Sequence, residues 1–196
     1  MNFQQIINRR HSIREFEKKQ ISKEVLVKLI ENACKAPSAG NRQPWIFYVV
    51  YSKKVMNQII EYSKESSKKL KKQISKKSLK LQKISNEFHN TLGNAPAIIF
   101  IFRLKDKKEA KYIKPNDIAS ISCAVENLML SAVEKKLGTC WIGSFKYPEM
   151  ETKLVRLLKA PKNQELTASI VIGYPKKGYN PLIRSKKKLQ EVLRFI

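Results

Sequence analysis

The stretch from Asn116 to Lys136 constrains the fold more than any other. Ile118, Ile121, Val125, Leu128, Met129 and Ala132 keep helical spacing, and Ala119, Cys123, Leu130 and Val133 extend the apolar surface almost all the way round. A helix apolar on most sides has to be covered on most sides. In a chain of 196 residues this predicts a central helix packed against a sheet and also against a second copy of the chain. Gly138 ends the helix, just after Lys135 and Lys136, whose charges suit the negative end of the helix dipole.

Four strands are expected around it. Trp45 to Tyr51 and Ala97 to Phe102 are continuous apolar runs rich in β-formers, the pattern of strands covered on both faces. Thr139 to Ile142 and Glu165 to Tyr174 are the third and fourth. Helices are expected over about 2–9, over 23–35 behind an N-cap at Ser22, over 53–63, within 65–91, and over 148–158 behind Pro148. Phe3, Ile6 and Ile7 share one face of the first. In 65–91, Leu70, Ile74, Leu81, Ile84 and Phe88 recur at spacings of three, four and seven, so one face is apolar and the rest is a solvated, lysine-rich face. His89 reads as an ordinary polar residue near a helix end. Strands separated by helices indicate an α+β class, a mostly antiparallel central sheet flanked by helices, although element order alone also permits a doubly wound parallel sheet. Neither GxGxxG nor GxxxxGK[ST] occurs, which removes the Rossmann and P-loop fingerprints. One domain over 1–196 is the expectation at this length.

Composition narrows the function classes. Hydrophobic residues make up 42% and charged residues 29%, which fits a globular protein rather than a disordered one. No apolar run approaches the roughly 20 residues that span a bilayer, so no membrane partner is expected. The N-terminus lacks a basic region followed by a long apolar one, and a cytoplasmic location follows as the expectation. Cys34, Cys123 and Cys140 form no CxxC pair and no metal spacing, and read as small buried hydrophobes. The net charge of +24 predicts attraction to polyanions at low salt. The lysines are spread along the chain, and no zinc finger or RNA-recognition signature accompanies them, so no specific nucleic acid is expected.

Two polar stretches interrupt the regular pattern. Ala36-Pro37-Ser38-Ala39-Gly40-Asn41-Arg42-Gln43-Pro44-Trp45-Ile46-Phe47 joins a helix to a strand. Its prolines, glycine and small residues keep it out of both periods, Ser38, Asn41 and Gln43 offer donors and acceptors, and Trp45 and Phe47 anchor it. Arg9-Arg10-His11-Ser12-Ile13-Arg14 is a dense set of donors. Arginine grips phosphate through a planar fork and serine adds a hydroxyl, but a solvated basic turn has the same composition.

Taken together, Pro-Ser-small-x-Asn-x-Gln-Pro-Trp-x-Phe, the Arg10–Phe16 block, Gly138-Thr139-Cys140-Trp141-Ile142-Gly143-Ser144-Phe145, and Gly173-Tyr174-Pro175 followed by Arg184 resemble the nitroreductase family of FMN enzymes, in that family's order. The resemblance implies an intertwined homodimer with two FMN sites at the subunit interface. It implies that Arg10, Ser12 and Arg184 hold the FMN phosphate, with His11 as a neighbour, and that Arg14 faces the pyrimidine edge. Pro37, Ser38, Ala39, Asn41 and Gln43 would serve the flavin, the first four reaching the site of the other chain. Main-chain groups along Trp141, Ile142, Gly143 and Ser144 would meet the flavin's reactive edge, where many relatives have Glu-Gly in place of Gly143-Ser144. The segment 65–91 would cover the active site, and the tail from Leu189 to Ile196 would wrap onto the partner.

The implied activity is hydride transfer from NADH or NADPH through flavin N5 to a small planar acceptor, a nitroaromatic or a quinone, by ping-pong turnover. Because the flavin carries the chemistry, no side chain is assigned as catalytic and no metal is expected. Three alternatives stay open: a related FMN enzyme that dehalogenates, fragments flavin or reduces alkenes; a basic protein that binds nucleic acid or an acidic partner; and an FMN enzyme fed by an acidic electron carrier such as a ferredoxin.

Overall fold

The structure is a computed structural model. It describes residues 1–74, 79–183 and 185–196, with backbone only for 69–74 and 79–81. Arg184, Leu70, Ile74 and Leu81 therefore lie outside what is described of site and core. The elements run α1 (Phe3–Arg9), α2 (Lys23–Ala33), β1 (Trp45–Val50), α3 (Lys53–Ile74), α4 (Leu79–Thr91), β2 (Ala97–Leu104), α5 (Ile113–Glu134), β3 (Gly138–Trp141), α6 (Pro148–Leu158), β4 (Gln164–Gly173) and α7 (Leu189–Val192).

The four strands form one sheet in the order β1-β2-β4-β3, and every pairing is antiparallel. This settles the class as α+β and excludes the parallel alternative. The reason β2 reads as an unbroken apolar run is visible in its register. Ala97, Ile99 and Ile101 pack into one core with α2 and α5, where Leu26, Leu29, Ile121, Val125 and Leu128 meet them. Ile98, Phe100 and Phe102 pack into a second core on the opposite face, with Met56, Ile59, Phe145 and Leu154. Helices on both faces leave no polar face for the strand to show. A register shift beside Ile101 and Phe102 pairs them with Ala168 and Leu166, so β4 has one extra residue and changes faces there.

α2 starts where Ser22 accepts a hydrogen bond from the Val25 amide, as expected of a serine N-cap. The helix expected over 53–63 does not stop there. α3 continues to Ile74, because no glycine or proline interrupts 53–91.

α5 is covered on one side only within this chain. Ile121, Ala124, Val125, Leu128 and Ala132 are buried, whereas Ile118 and Cys123 are exposed. Phe3 and Ile7 of α1, and Leu189, Val192, Phe195 and Ile196 of the tail, are exposed as well. Two cysteine readings are corrected: Cys34 and Cys123 lie at the surface, and only Cys140 is buried. Cys123 sits on the uncovered side of α5, and Cys34 caps the end of α2.

Candidate functional site

Residues 10–16 form an extended strap across the end of the sheet. Ser12 makes a parallel bridge with Thr139, the Ile13 amide donates to Thr139 O at 2.9 Å, and the Phe16 amide donates to Gly93 O at 2.8 Å. The strap can lie this close because Gly138 carries no side chain: a Cβ there would sit 2.5 Å from Ile13. The basic block Arg10, His11, Ser12 and Arg14 is thereby laid alongside β3, running parallel to it, with Ser12 beside Thr139 and Arg14 two residues further toward the Trp141 end.

The cations of the strap are open to a ligand. Arg14 makes no ion pair among the described residues; its guanidinium donates to Ser12 O at 3.4 Å and its amide to the Tyr179 hydroxyl at 3.3 Å. Arg10 lies 3.6 Å from Glu126, a half-exposed carboxylate. Such weakly held arginines beside a serine suit an anion with several oxygens. The end of β3 is open too. Trp141 is exposed, and a Cβ on Gly143 would meet nothing within 4 Å. The last amide of this stretch with a backbone acceptor is Ile142, bonded to Ser169 O at 2.8 Å. Among the described residues the amides of Gly143 and Ser144 have none, leaving two N–H groups just past the end of β3.

A cavity of about 720 Å³ opens beside Arg14, lined among others by Ile84, Phe88, Asn90, Asn94, Tyr179 and Leu182. Half of the whole lining comes from α4 and the turn after it, so the lysine-rich segment contributes a wall here.

The second predicted group lies elsewhere in the chain. The Pro37–Gln43 loop is fixed to the first third of α5, where the Ala39 amide donates to Ser120 Oγ at 3.2 Å and Arg42 pairs with Asp117 at 3.3 Å; Arg42 also pairs with Asp106, ahead of the helix, at 2.8 Å. Ser38 Oγ accepts from the Gln43 amide at 3.1 Å, and the Gln43 side chain donates to Asn41 at 3.1 Å. Gly40, Asn41 and Gln43 all take positive φ, a concentration of left-handed backbone typical of functional loops. Within one chain this loop does not touch the strap. Ser120, its contact, stands about 20 Å of helix rise before Glu134, beyond which the strap crosses.

Two further clusters belong to the site. The first lies beneath the loop. Arg103, on a strand that is otherwise apolar, is buried and holds Glu109 through two bonds of 2.6 and 2.8 Å, Asp117 at 3.2 Å and Glu165 at 3.1 Å. The carboxylates raise the Arg103 pKa further, the Glu109 bonds most. Asp117 is shared with Arg42, so the loop is tied into the sheet. The signal was present in the sequence: one arginine in an apolar strand and one aspartate in an apolar helix, of opposite sign.

The second cluster corrects the reading of His89. It is buried, with Nδ1 2.8 Å from Ser85 O and Nε2 3.2 Å from Ser144 Oγ. Burial pushes its pKa below the ordinary histidine value, opposed by the Ser85 bond and aided by the Arg14 charge. Helical spacing showed only a histidine near a helix end; the partner is 55 residues away.

The model of the Nitroreductase family matches residues 7–174. This chain belongs to the nitroreductase family. A provisionally named NADH dehydrogenase/NAD(P)H nitroreductase of Archaeoglobus fulgidus is 31% identical over 171 residues, 87% of this chain and 84% of that protein. The solved BluB-like flavoprotein of Clostridium difficile 630 covers 100% of this chain and 99% of its own, with 25% identity and a TM-score of 0.79. A solved iodotyrosine deiodinase bound to FMN and 3-iodo-L-tyrosine shares the fold at a TM-score of 0.74 and 24% identity, covering 96% of this nitroreductase-family chain and 97% of its own. Among the described residues, no group of three His, Cys, Asp or Glu side chains is placed to hold a metal, and no helix is long and apolar enough to cross a membrane.

Proposed function

We propose that this chain is one flavin-binding domain of a cytoplasmic homodimeric oxidoreductase that uses FMN to pass hydride from NADH or NADPH to nitroaromatic or quinone-type acceptors. The observation that carries the reading is the loosely held donor array of the strap and the β3 end, in a member of the nitroreductase family. Bound FMN would supply the two-electron chemistry, accepting hydride and donating it again. The donor set fits that group: Arg10 and Ser12, with Arg184, would neutralise the phosphate. Arg14 would offset negative charge at the pyrimidine edge, and the Gly143 and Ser144 amides would donate at the reactive edge. Trp141 and Ile142 would flank the ring.

Neither the strap nor the loop completes such a site alone. A second copy packed on the uncovered side of α5 would bring its Pro37, Ser38, Ala39, Asn41 and Gln43 to the first copy's strap, which supports the dimer. The cavity beside Arg14 has apolar walls for a flat ring and polar groups at its rim. No side chain is required as nucleophile or general acid, so specificity would come from stacking and from α4.

The test is the visible spectrum of the purified protein, followed by anaerobic NADH. A yellow protein that bleaches and recovers its colour with a quinone or nitroarene supports the reading. A colourless protein that takes up no added FMN overturns it. Bleaching by a reduced ferredoxin, but not by NADH or NADPH, would replace the donor and keep the flavin. In Arg10→Glu, FMN occupancy is expected to fall to near zero with the thermal midpoint little changed; full occupancy would remove Arg10 from the phosphate site.

A further inference from the structure

We propose that His89 is a positioning residue for the cofactor site: its Nε2 accepts a hydrogen bond from the Ser144 hydroxyl, so that the turn after β3 presents amide N–H groups, and not a hydroxyl, to the bound group. The inference rests on the flavin reading above, but its first half is a statement about the protein alone.

Two helices converge on Ser144 Oγ. His89 Nε2 reaches it from α4 at 3.2 Å, and Ser66 Oγ reaches it from α3 at 3.3 Å. Ser66, Ser144 and His89 are all buried. The tautomer follows from the partners. Ser85 O is a carbonyl and can only accept, so Nδ1, 2.8 Å away, carries the proton. In the neutral ring Nε2 is then an acceptor, and the group facing it is the Ser144 hydroxyl, which has one proton to give. That proton is committed to the interior. Ser66 donates to Ser63 O at 2.8 Å or to Ser144 Oγ, and in neither case does it restore a donor facing outward.

The charged group acting on the ring comes from the strap: Arg14, whose charge opposes protonation. The groups from α3 and from the β3 end, Ser63, Ser66 and Ser144, are neutral, and on its own helix the ring meets Ser85 O and the edge of Phe88. The ring is accordingly neutral at pH 7. Adding a proton makes Nε2 a donor, so the Ser144 hydroxyl must rotate its own proton away from His89. The turn then offers a different set of donors. His89 thus couples α4, a wall of the cavity, to the turn after β3, where Ser66 of α3 meets the same hydroxyl.

Two measurements test this. The chain has two histidines, His11 and His89, so long-range proton–nitrogen NMR of the flavin-free protein is readily assigned with His89→Gln. The expected result at pH 7 is a neutral His89 ring protonated at Nδ1, with an Nε2 signal that moves in Ser144→Ala. An Nε2-protonated or charged ring, or an Nε2 signal indifferent to Ser144→Ala, overturns the proposal. The second measurement follows the visible band of bound FMN from pH 8 down to the lowest pH at which the protein stays folded, and its dissociation constant at pH 7. The intact protein should show an inflection below the ordinary histidine value of 6.5. His89→Gln and Ser144→Ala should each lose it, each weakening FMN about five- to tenfold at pH 7, the worth of one hydrogen bond, and the double variant no further. A flat profile in the intact protein, or an inflection that survives in His89→Gln, overturns the coupling. No FMN uptake by any form overturns the flavin reading and the cofactor half with it, while the NMR result still decides the His89–Ser144 contact. Should His89→Gln fail to fold, Ser144→Ala gives both readouts.

Discussion

Arg103 shows how a single residue can hold a distant loop. Its guanidinium is shared by Glu109, Asp117 and Glu165, and Asp117 in turn holds Arg42. Removing it would leave buried Asp117 short of its main cation. Arg103→Met is therefore expected to cost about 3–5 kcal/mol, read from the denaturant midpoint. A loss under about 1 kcal/mol would mean that Arg42 alone satisfies the aspartate. The same cluster sets an acid limit. Bonds from Arg103 hold Glu109 below its usual value of 4.5. Burial pushes Glu165 upward, but bonds from Lys114 and Arg103 outweigh it, and its pKa is also lowered. Folded values below unfolded ones mean that this stability is complete above about pH 4.5 and is lost as pH falls through the folded values. Thermal midpoints measured from pH 6 down to pH 3 should drop, and the drop should be shallower in Arg103→Met. A parallel fall in both proteins would assign acid sensitivity to other carboxylates.

At the scale of elements, two short runs of left-handed backbone do the positioning. Gly40, Asn41 and Gln43 shape the loop at α5, and Leu92, Gly93 and Asn94 shape the turn between α4 and β2. Gly93 has φ +66°, and a Cβ there would lie 2.2 Å from Arg14 O. The strap rests directly on this glycine. Gly93→Ala should cost at least about 2 kcal/mol through left-handed strain and overpacking. It should also shift Arg14, lowering FMN affinity more than Ser22→Ala, which loses only the α2 cap at about 1 kcal/mol. Equal FMN affinity in the two variants would show that the strap does not depend on this contact. The sequence marked the 36–47 loop by its prolines and polar side chains, but gave no comparable mark to 92–94. One glycine between a helix and a strand is the commonest of signals, and what it must avoid is a carbonyl 79 residues earlier in the chain.

For the whole molecule, the uncovered apolar residues of α1, α5 and the tail are the largest unmet demand. Phe195 and Ile196 are almost fully exposed. A surface of this kind calls for a partner, and the separated halves of the site call for the same one. Sedimentation is expected to give a dimer. Removing residues 189–196 should convert it to monomer at concentrations where the full chain stays dimeric, with flavin lost in step. A truncated chain that remains a dimer and stays yellow would free the tail from this role. The +24 charge predicts salt-sensitive binding of any acidic electron carrier, and titrating salt from 50 to 500 mM against turnover would expose it.

Local chemistry along the chain was enough to indicate the class and most of the elements. Apolar runs of six residues, helical spacing around Val125, Ser22 as a cap and Pro148 at a helix start each report on neighbours a few residues away, and those neighbours are written next to one another. The family was equally legible, since its motifs are contiguous blocks in a fixed order. Tertiary structure alone decided the antiparallel sheet order, the Arg103–Asp117–Arg42 anchor, the His89–Ser144 contact and the separation of loop from strap. These depend on pairs tens of residues apart, whose meeting is fixed by which faces of the sheet the helices cover. No local period encodes that choice; burial of both sheet faces at once does.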